Sequence, residues 1–407
     1  MATFLLIIIY IAFISLGLPD AVLGAAWPIM QVELSAPLEA AGLLYGMVCV
    51  GTVLSSLMSG PLLKRFGTGK VTAVSVMLTA IGLFGFNAAE SVYWLLLFTL
   101  PLGLGAGAVD AGLNDYVALH YKAHHMNWLH AFWGIGATMG PLVLGRFLAV
   151  DKTWRDTYFT IAICQIALVI VIFVTLPLWT KIANNQATLE KNTEEGETDE
   201  PYNGNMLKMP GVKWALLTFI FYVGIEQTVS LWGSSFLVSS KQLGPARAAD
   251  WLSFYFLGIT IGRFLSGFVS FKFTNKQLLR IGQIIILSGA VILLVPLPTI
   301  FSLIGLLMIG FGCAPVYPSM LHETPARFGT KQSQTIMGLQ LAAGNTGALL
   351  LPPVFGFIAA HLSVNLLPFF LVTYAGLMLF STERVNLLST KIKGFVNREA
   401  VSVTVKD

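Results

Sequence analysis

Charge is what this 407-residue chain has least of. Asp, Glu, Lys and Arg together make up 11% of it, where an ordinary soluble domain carries about 25%. A surface so poor in charge, on a chain that is 56% hydrophobic with a mean hydropathy of +0.76, excludes a soluble globular domain and points to a membrane protein. Cysteine is also scarce. Cys49, Cys164 and Cys313 fall in separate apolar runs, without the spacing of a metal site, so they read as core thiols and leave the redox compartment open. Enzyme signatures are missing: there is no P-loop, no dinucleotide fingerprint, no G-x-S-x-G and no H-E-x-x-H, nor the long soluble loops of an ATP-driven pump. No catalytic residue, cofactor, metal or nucleic-acid partner is expected. The first apolar run has no basic segment before it and no small-residue cleavage site before Met30. It is therefore expected to remain a membrane helix rather than to act as a signal peptide.

What the chain has in plenty is apolar runs of about twenty residues, the length that crosses a bilayer. They predict helices over about 3–30, 41–63, 71–88, 92–119, 127–149 and 157–180, then over 213–239, 249–271, 277–296, 299–322, 331–360 and 364–386. The fold class is thus an all-α membrane protein of twelve transmembrane helices. Eighteen of the 24 Lys and Arg residues fall in the loops after the even-numbered helices or in the C-terminal tail, which predicts that both termini are cytoplasmic in a multi-pass cell-membrane protein. Between the sixth and seventh helices the pattern stops, and the string Glu190-Lys-Asn-Thr-Glu-Glu-Gly-Glu-Thr-Asp-Glu200 reads as a solvated linker. The expected division is an N-terminal half at 1–180, a cytoplasmic linker at 181–212, a C-terminal half at 213–390 and a cytoplasmic tail at 391–407. The halves echo each other: GTVLSSLMSGPLLKRF from Gly51 and GITIGRFLSGFVSFKF from Gly258 share glycines and an ending at an offset of 207. Transporters built as such duplications place their site near mid-depth between the halves.

Three acids lie inside predicted spans. Asp20, Asp110 and Glu226 each cost about 2.5–3.5 kcal/mol at the membrane centre, and such groups normally face a water-filled cavity or a partner. In the fourth helix Gly103, Gly107, Asp110 and Asn114 share one face; the alternative is an acid bonded to a neighbouring hydroxyl for packing. In the first helix Gly17, Asp20, Gly24 and Trp27 share a face. There Asp20 follows a proline, where an unwound backbone would bind a polar ligand or the acid would satisfy freed amides. In the seventh, Tyr222, Glu226, Ser230 and Gly233 align, flanked by Gln227 and Trp232. Aromatic rings beside amides and carboxyls suit a sugar, whose C–H face packs on a ring while its hydroxyls bond to the polar groups. Trp27 and Trp232 have a second reading as interface anchors. Gln340 and Asn345 in the eleventh helix are further hydroxyl binders. Arg263 is expected to snorkel or to pair with an acid across the bundle, and Asp115 to contact its loop or Arg65. Glu323 and Arg327 read as a surface i, i+4 pair, His120, His124 and His125 as a solvated loop, and the prolines of Gly310-Phe-Gly-Cys-Ala-Pro-Val-Tyr-Pro318 as a bend that could gate.

Gly17-Leu-Pro-Asp20 with Pro28, Gly103-Leu-Gly-Ala-Gly-Ala-Val-Asp-Ala-Gly-Leu-Asn114, Tyr222-Val-Gly-Ile-Glu226 and Gly258-Ile-Thr-Ile-Gly-Arg263 resemble the major facilitator superfamily over the whole chain. The similarity is closest to its fucose permease-like branch, which includes fucose and glucose/mannose:proton symporters. Gly60-Pro-Leu-Leu-Lys-Arg-Phe-Gly67 resembles the superfamily's loop signature without its usual acid, which puts a gating salt bridge there in question. The resemblance implies two pseudo-symmetric six-helix halves, alternating access and an acid tied to proton coupling at Asp110. On this reading Asp110, Glu226 and Asp20 carry proton coupling, while Asn114, Tyr222, Gln227, Trp232, Gln340, Asn345 and Trp27 bind substrate. Arg65, Asp115 and Arg263 serve gating. The expected function is proton-coupled symport of a hexose or similar small polar solute by a monomer in the lipid bilayer. Proton-driven efflux of amphipathic drugs or metabolites stands as the alternative, favoured if Phe and Met dominate the cavity. A non-transporting sensor is a third class, one that gives no reason to keep mid-membrane acids. The particular sugar, proton against sodium, and the direction of flux are not encoded.

Overall fold

The computed structural model describes residues 2–121, 123–190, 206–269 and 272–388. Among these residues there are thirteen α-helices: α1 (Ala2–Asp20), α2 (Val22–Glu33), α3 (Ala40–Phe66), α4 (Thr68–Asn87), α5 (Val92–His120), α6 (Ala123–Leu148), α7 (Trp154–Glu190), α8 (Val212–Lys241), α9 (Pro245–Val269), α10 (Asn275–Leu294), α11 (Ile300–Phe328), α12 (Thr330–His361) and α13 (Leu367–Leu387). They form twelve spans long and apolar enough to cross a membrane, because α1 and α2 are two parts of one, Thr3–Glu33. No strand occurs among the described residues.

The break in the first span follows from Pro19. A proline has no N–H to give to the carbonyl four residues back, which here is Ser15. Gln165 of α7 supplies the missing donor through Nε2 at 3.0 Å and is held in turn by Thr79 of α4. The chain leaves the helix at Ala21 and resumes as α2, so Asp20 ends a helix in mid-span. The far end of α2 is clipped by Glu33, which accepts from Trp154 Nε1 and pairs with Arg155.

Two expectations need revision. α7 runs ten residues past 180, through a stretch of good helix formers such as Ala183, Gln186, Ala187 and Leu189. The acidic string beyond Glu190 and the tail at 391–407 lie outside the described residues. The histidine cluster is not a loop, since α6 starts at Ala123 and His125 bonds the Tyr10 hydroxyl at 2.8 Å.

The two halves pack alike. In the first, α1 lies on α6 and α7, α5 on α3 and α4, and α4 on α7; in the second, α8 lies on α12 and α13, α11 on α9 and α10, and α10 on α13. The offset of 207 holds at the level of contacts. A Cβ on Gly103 would overlap the Val48 carbonyl, and one on Gly310 the Tyr255 carbonyl. Gly51 lies against Gly103 as Gly258 lies against Gly310. These glycines bring backbones together as small residues do in membrane interfaces. Across the seam, α6 packs on α9, α3 on α12 and α2 on α8. The seam is tight at the end away from the linker, where Gly24 lies on the backbone of Ser230 and Leu231, Gly42 on Pro353 and Gly145 on Ala246.

Candidate functional site

At the other end the seam parts, and a cavity of about 440 Å³ enters from the side where α7 and α8 meet the linker. It passes the exposed His322 and Gly267 and reaches Asp110, Asp20 and Glu226. A second lobe of about 250 Å³ shares Asp20, Trp133, Glu226, Gln227 and Asn345 with the first and continues toward Tyr45, Tyr158 and Phe256, where the tight seam ends it. The space is thus open on one side and closed on the other, with Asp20 and Glu226 where the lobes meet and Asp110 in the larger one.

Each acid is held differently. The α1 break leaves Asp20 open to the cavity, and its Oδ2 accepts from Trp133 Nε1 of α6 at 2.8 Å. Asp110 also faces the cavity, and Asn114, one turn on, donates Nδ2 to its Oδ1 at 2.9 Å. Glu226 is buried, with Oε1 3.9 Å from Arg263 Nη2. The same guanidinium donates Nη1 to the His130 carbonyl at 3.2 Å and lies 5.2 Å from the Trp133 ring centre. Asp20, Trp133, Arg263 and Glu226 therefore form one chain of contacts from the first half to the second. Polar groups joined in this way in a low dielectric respond together when one of them changes charge.

The repeat also explains the walls. Leu16 and Val223, Asp20 and Gln227, and Asp110 and Tyr317 are pairs at the 207 offset, and all six line the larger lobe. At the two inner pairs the first half carries a carboxyl and the second a neutral hydrogen-bonding group.

Of the residues expected to bind substrate, Tyr222, Gln227 and Asn345 line the cavity. Asn114 reaches it through Asp110. The other three lie elsewhere. Trp232 is fully buried between α8 and α12, donating to the Pro352 carbonyl at 2.8 Å, with Gly356 giving room for its ring. Trp27 donates to the Leu38 carbonyl at 3.0 Å and fixes the turn after α2. Gln340 accepts from Thr324 at 2.9 Å beside a separate small void. In each case a large or polar side chain on the apparent inner face is consumed by a neighbouring helix or, for Trp27, by the turn that follows its own. The gating residues divide as well. Arg263 pairs with an acid across helices, whereas Arg65 turns over the Phe66 ring at 5.3 Å. No ion pair joins Arg65 to Asp115 among the described residues. Glu323 and Arg327, expected at the surface, are largely buried at 3.2 Å, and Arg327 also donates to Asn386. α11 continues unbroken through Pro315 and Pro318, which line the cavity. No cluster of three metal-type ligands exists among the described residues.

Sequence reasoning missed Trp133, His130 and Tyr317. Tyr317 was recoverable from its 207 offset to Asp110; an indole and an imidazole inside an apolar run gave no comparable signal.

Matched helical bundles around a polar mid-depth cavity, open at one side, define a solute carrier rather than an enzyme. The Major Facilitator Superfamily model matches residues 9–352, and the chain belongs to that family. It is 23% identical over 282 residues to the glucose/mannose transporter GlcP of Bacillus subtilis, covering 66% of this chain and 67% of the relative. It is 24% identical over 353 residues to the cis,cis-muconate transport protein of Acinetobacter baylyi, covering 83% of each. The inward-open xylose transporter XylE of Escherichia coli shares the fold with a TM-score of 0.72 at 14% identity, covering 93% of this chain and 95% of that one. The protein is a multi-pass membrane transporter.

Proposed function

We propose that the protein couples proton movement to the transport of a hexose or similar small polar solute by alternating access, with both termini in the cytoplasm and a monomer as the working unit. The observation that carries this reading is the meeting of Asp20, Asp110 and Glu226 in one seam cavity, wired to the second half through Trp133 and Arg263. Carboxyls at this depth that open to water can take up and release a proton as access changes sides. Gln227, Asn345, Tyr222 and Tyr317 offer hydroxyl partners around them, and Trp133 an aromatic face. Among the described residues no methionine lines either lobe and only Phe13, Phe86 and Phe256 do so among the phenylalanines, so Phe and Met do not dominate as efflux of amphipathic drugs would ask; the sugar and muconate transporters among the relatives both carry small polar solutes by name.

The test is a thermal-shift screen of the purified protein against hexoses, small dicarboxylates and amphipathic cations. Stabilisation by one hexose and not by its epimers is expected. Stabilisation by cationic amphiphiles alone would replace this reading with the efflux alternative.

A further inference from the structure

On the outer face of the second half, α10 and α13 frame a hollow of about 310 Å³ that shares no lining residue with the seam cavity and is lined by Phe273, Lys276, Gln277, Arg280, Ile281 and Asn386. Its depth is fixed by α10, a span of only 20 residues beginning at Asn275, so the hollow opens where hydrocarbon gives way to headgroups. Its charge is positive. Glu383 is engaged by Arg280, whose Nε and Nη2 donate to its two oxygens at 2.8 and 2.7 Å. That fork fixes the guanidinium and leaves Nη1 without a hydrogen bond among the described residues, with the Arg280 side chain 55% exposed. Lys276, one turn earlier, has no ion-pair partner within 4.0 Å among the described residues. The α10 N-terminus, capped by the Thr274 and Gln277 pair, adds the positive end of a helix dipole. Deeper along the same two helices Ile281, Ile284, Leu377 and Phe380 are all exposed.

We infer that this hollow is a binding site for an anionic glycerophospholipid of the leaflet on the linker side, with its phosphate between Lys276 and the free edge of Arg280 and an acyl chain along Ile281 and Ile284. Two cations against one already engaged carboxylate, opening sideways onto apolar helix faces, match a phosphate that carries a hydrocarbon tail. A basic pocket between transmembrane helices is suited to such headgroups. A soluble anion would gain nothing from the apolar flank. The inference does not depend on the transported solute.

The test uses the full chain purified in detergent and exposed to equal mixtures of phosphatidylglycerol and phosphatidylcholine, with retained lipid counted by native mass spectrometry. Preferential retention of phosphatidylglycerol is expected, weakened about fivefold by Lys276→Gln, the effect of one surface lysine on an anionic lipid. Lys213→Gln, at the start of α8, is expected to leave it unchanged. Both lysines are exposed at helix starts, so neither change threatens the fold. Equal retention in wild type and Lys276→Gln, or displacement of the lipid by millimolar inorganic phosphate, would overturn the assignment.

Discussion

Trp133 joins more of the site than any acid does. Its indole N–H serves Asp20 while its ring carries the Arg263 guanidinium, so it touches the partners of both halves. The acids were legible in the sequence because a mid-membrane carboxyl is too costly to be incidental. Trp232, Trp27 and Gln340 were misplaced because helical periodicity gives a face but does not say whether a cavity or another helix lies opposite. The difference has a measurable consequence. Trp232→Phe removes the bond to the Pro352 carbonyl and is expected to lower stability by about 1–3 kcal/mol, the cost of a buried acceptor left unmade, without changing ligand affinity. Thermal unfolding and ligand titration of the variant separate the two effects; weakened binding at unchanged stability would return Trp232 to the site.

Among the elements, the divided first span does most to set the conformation. Pro19 ends α1, Gln165 satisfies the orphaned Ser15 carbonyl, and α2 can then lean on α8, where Gly24 meets the Ser230 backbone and Ser234 donates to the Ala25 carbonyl at 3.1 Å. The sequence announced a distortion near Asp20 through Pro19 and the neighbouring glycines. It could not announce the α2–α8 contact, which pairs residues some two hundred positions apart. Since nothing larger than glycine fits at position 24, Gly24→Trp is expected to hold the tight end of the seam open. Spin labels on Val32→Cys and Gln242→Cys, at the tips of α2 and α8, should then report a longer distance than in the Gly24 protein. An unchanged distance would mean that this contact does not seal the cavity.

In the molecule as a whole, twelve spans were readable from length and hydropathy, and the duplication from one pair of segments. The structure extends that duplication to contacts, down to Gly51 with Gly103 and Gly258 with Gly310. What breaks the symmetry is chemistry: Asp20 and Asp110 stand where the second half has Gln227 and Tyr317, so the first half brings two carboxyls without an ion pair, while the second brings neutral groups at those positions and its one cavity acid, Glu226, beside Arg263. This asymmetry was present in the sequence but became meaningful only once both members of each pair were seen to line one cavity. The central claim, that these carboxyls couple proton and solute, is tested most directly in proteoliposomes carrying an internal pH dye, with the hexose found in the stabilisation screen added outside. Hexose addition is expected to acidify the lumen, and Asp110→Asn to abolish that signal while leaving hexose counterflow; an undiminished proton signal from the Asp110→Asn protein would contradict the account.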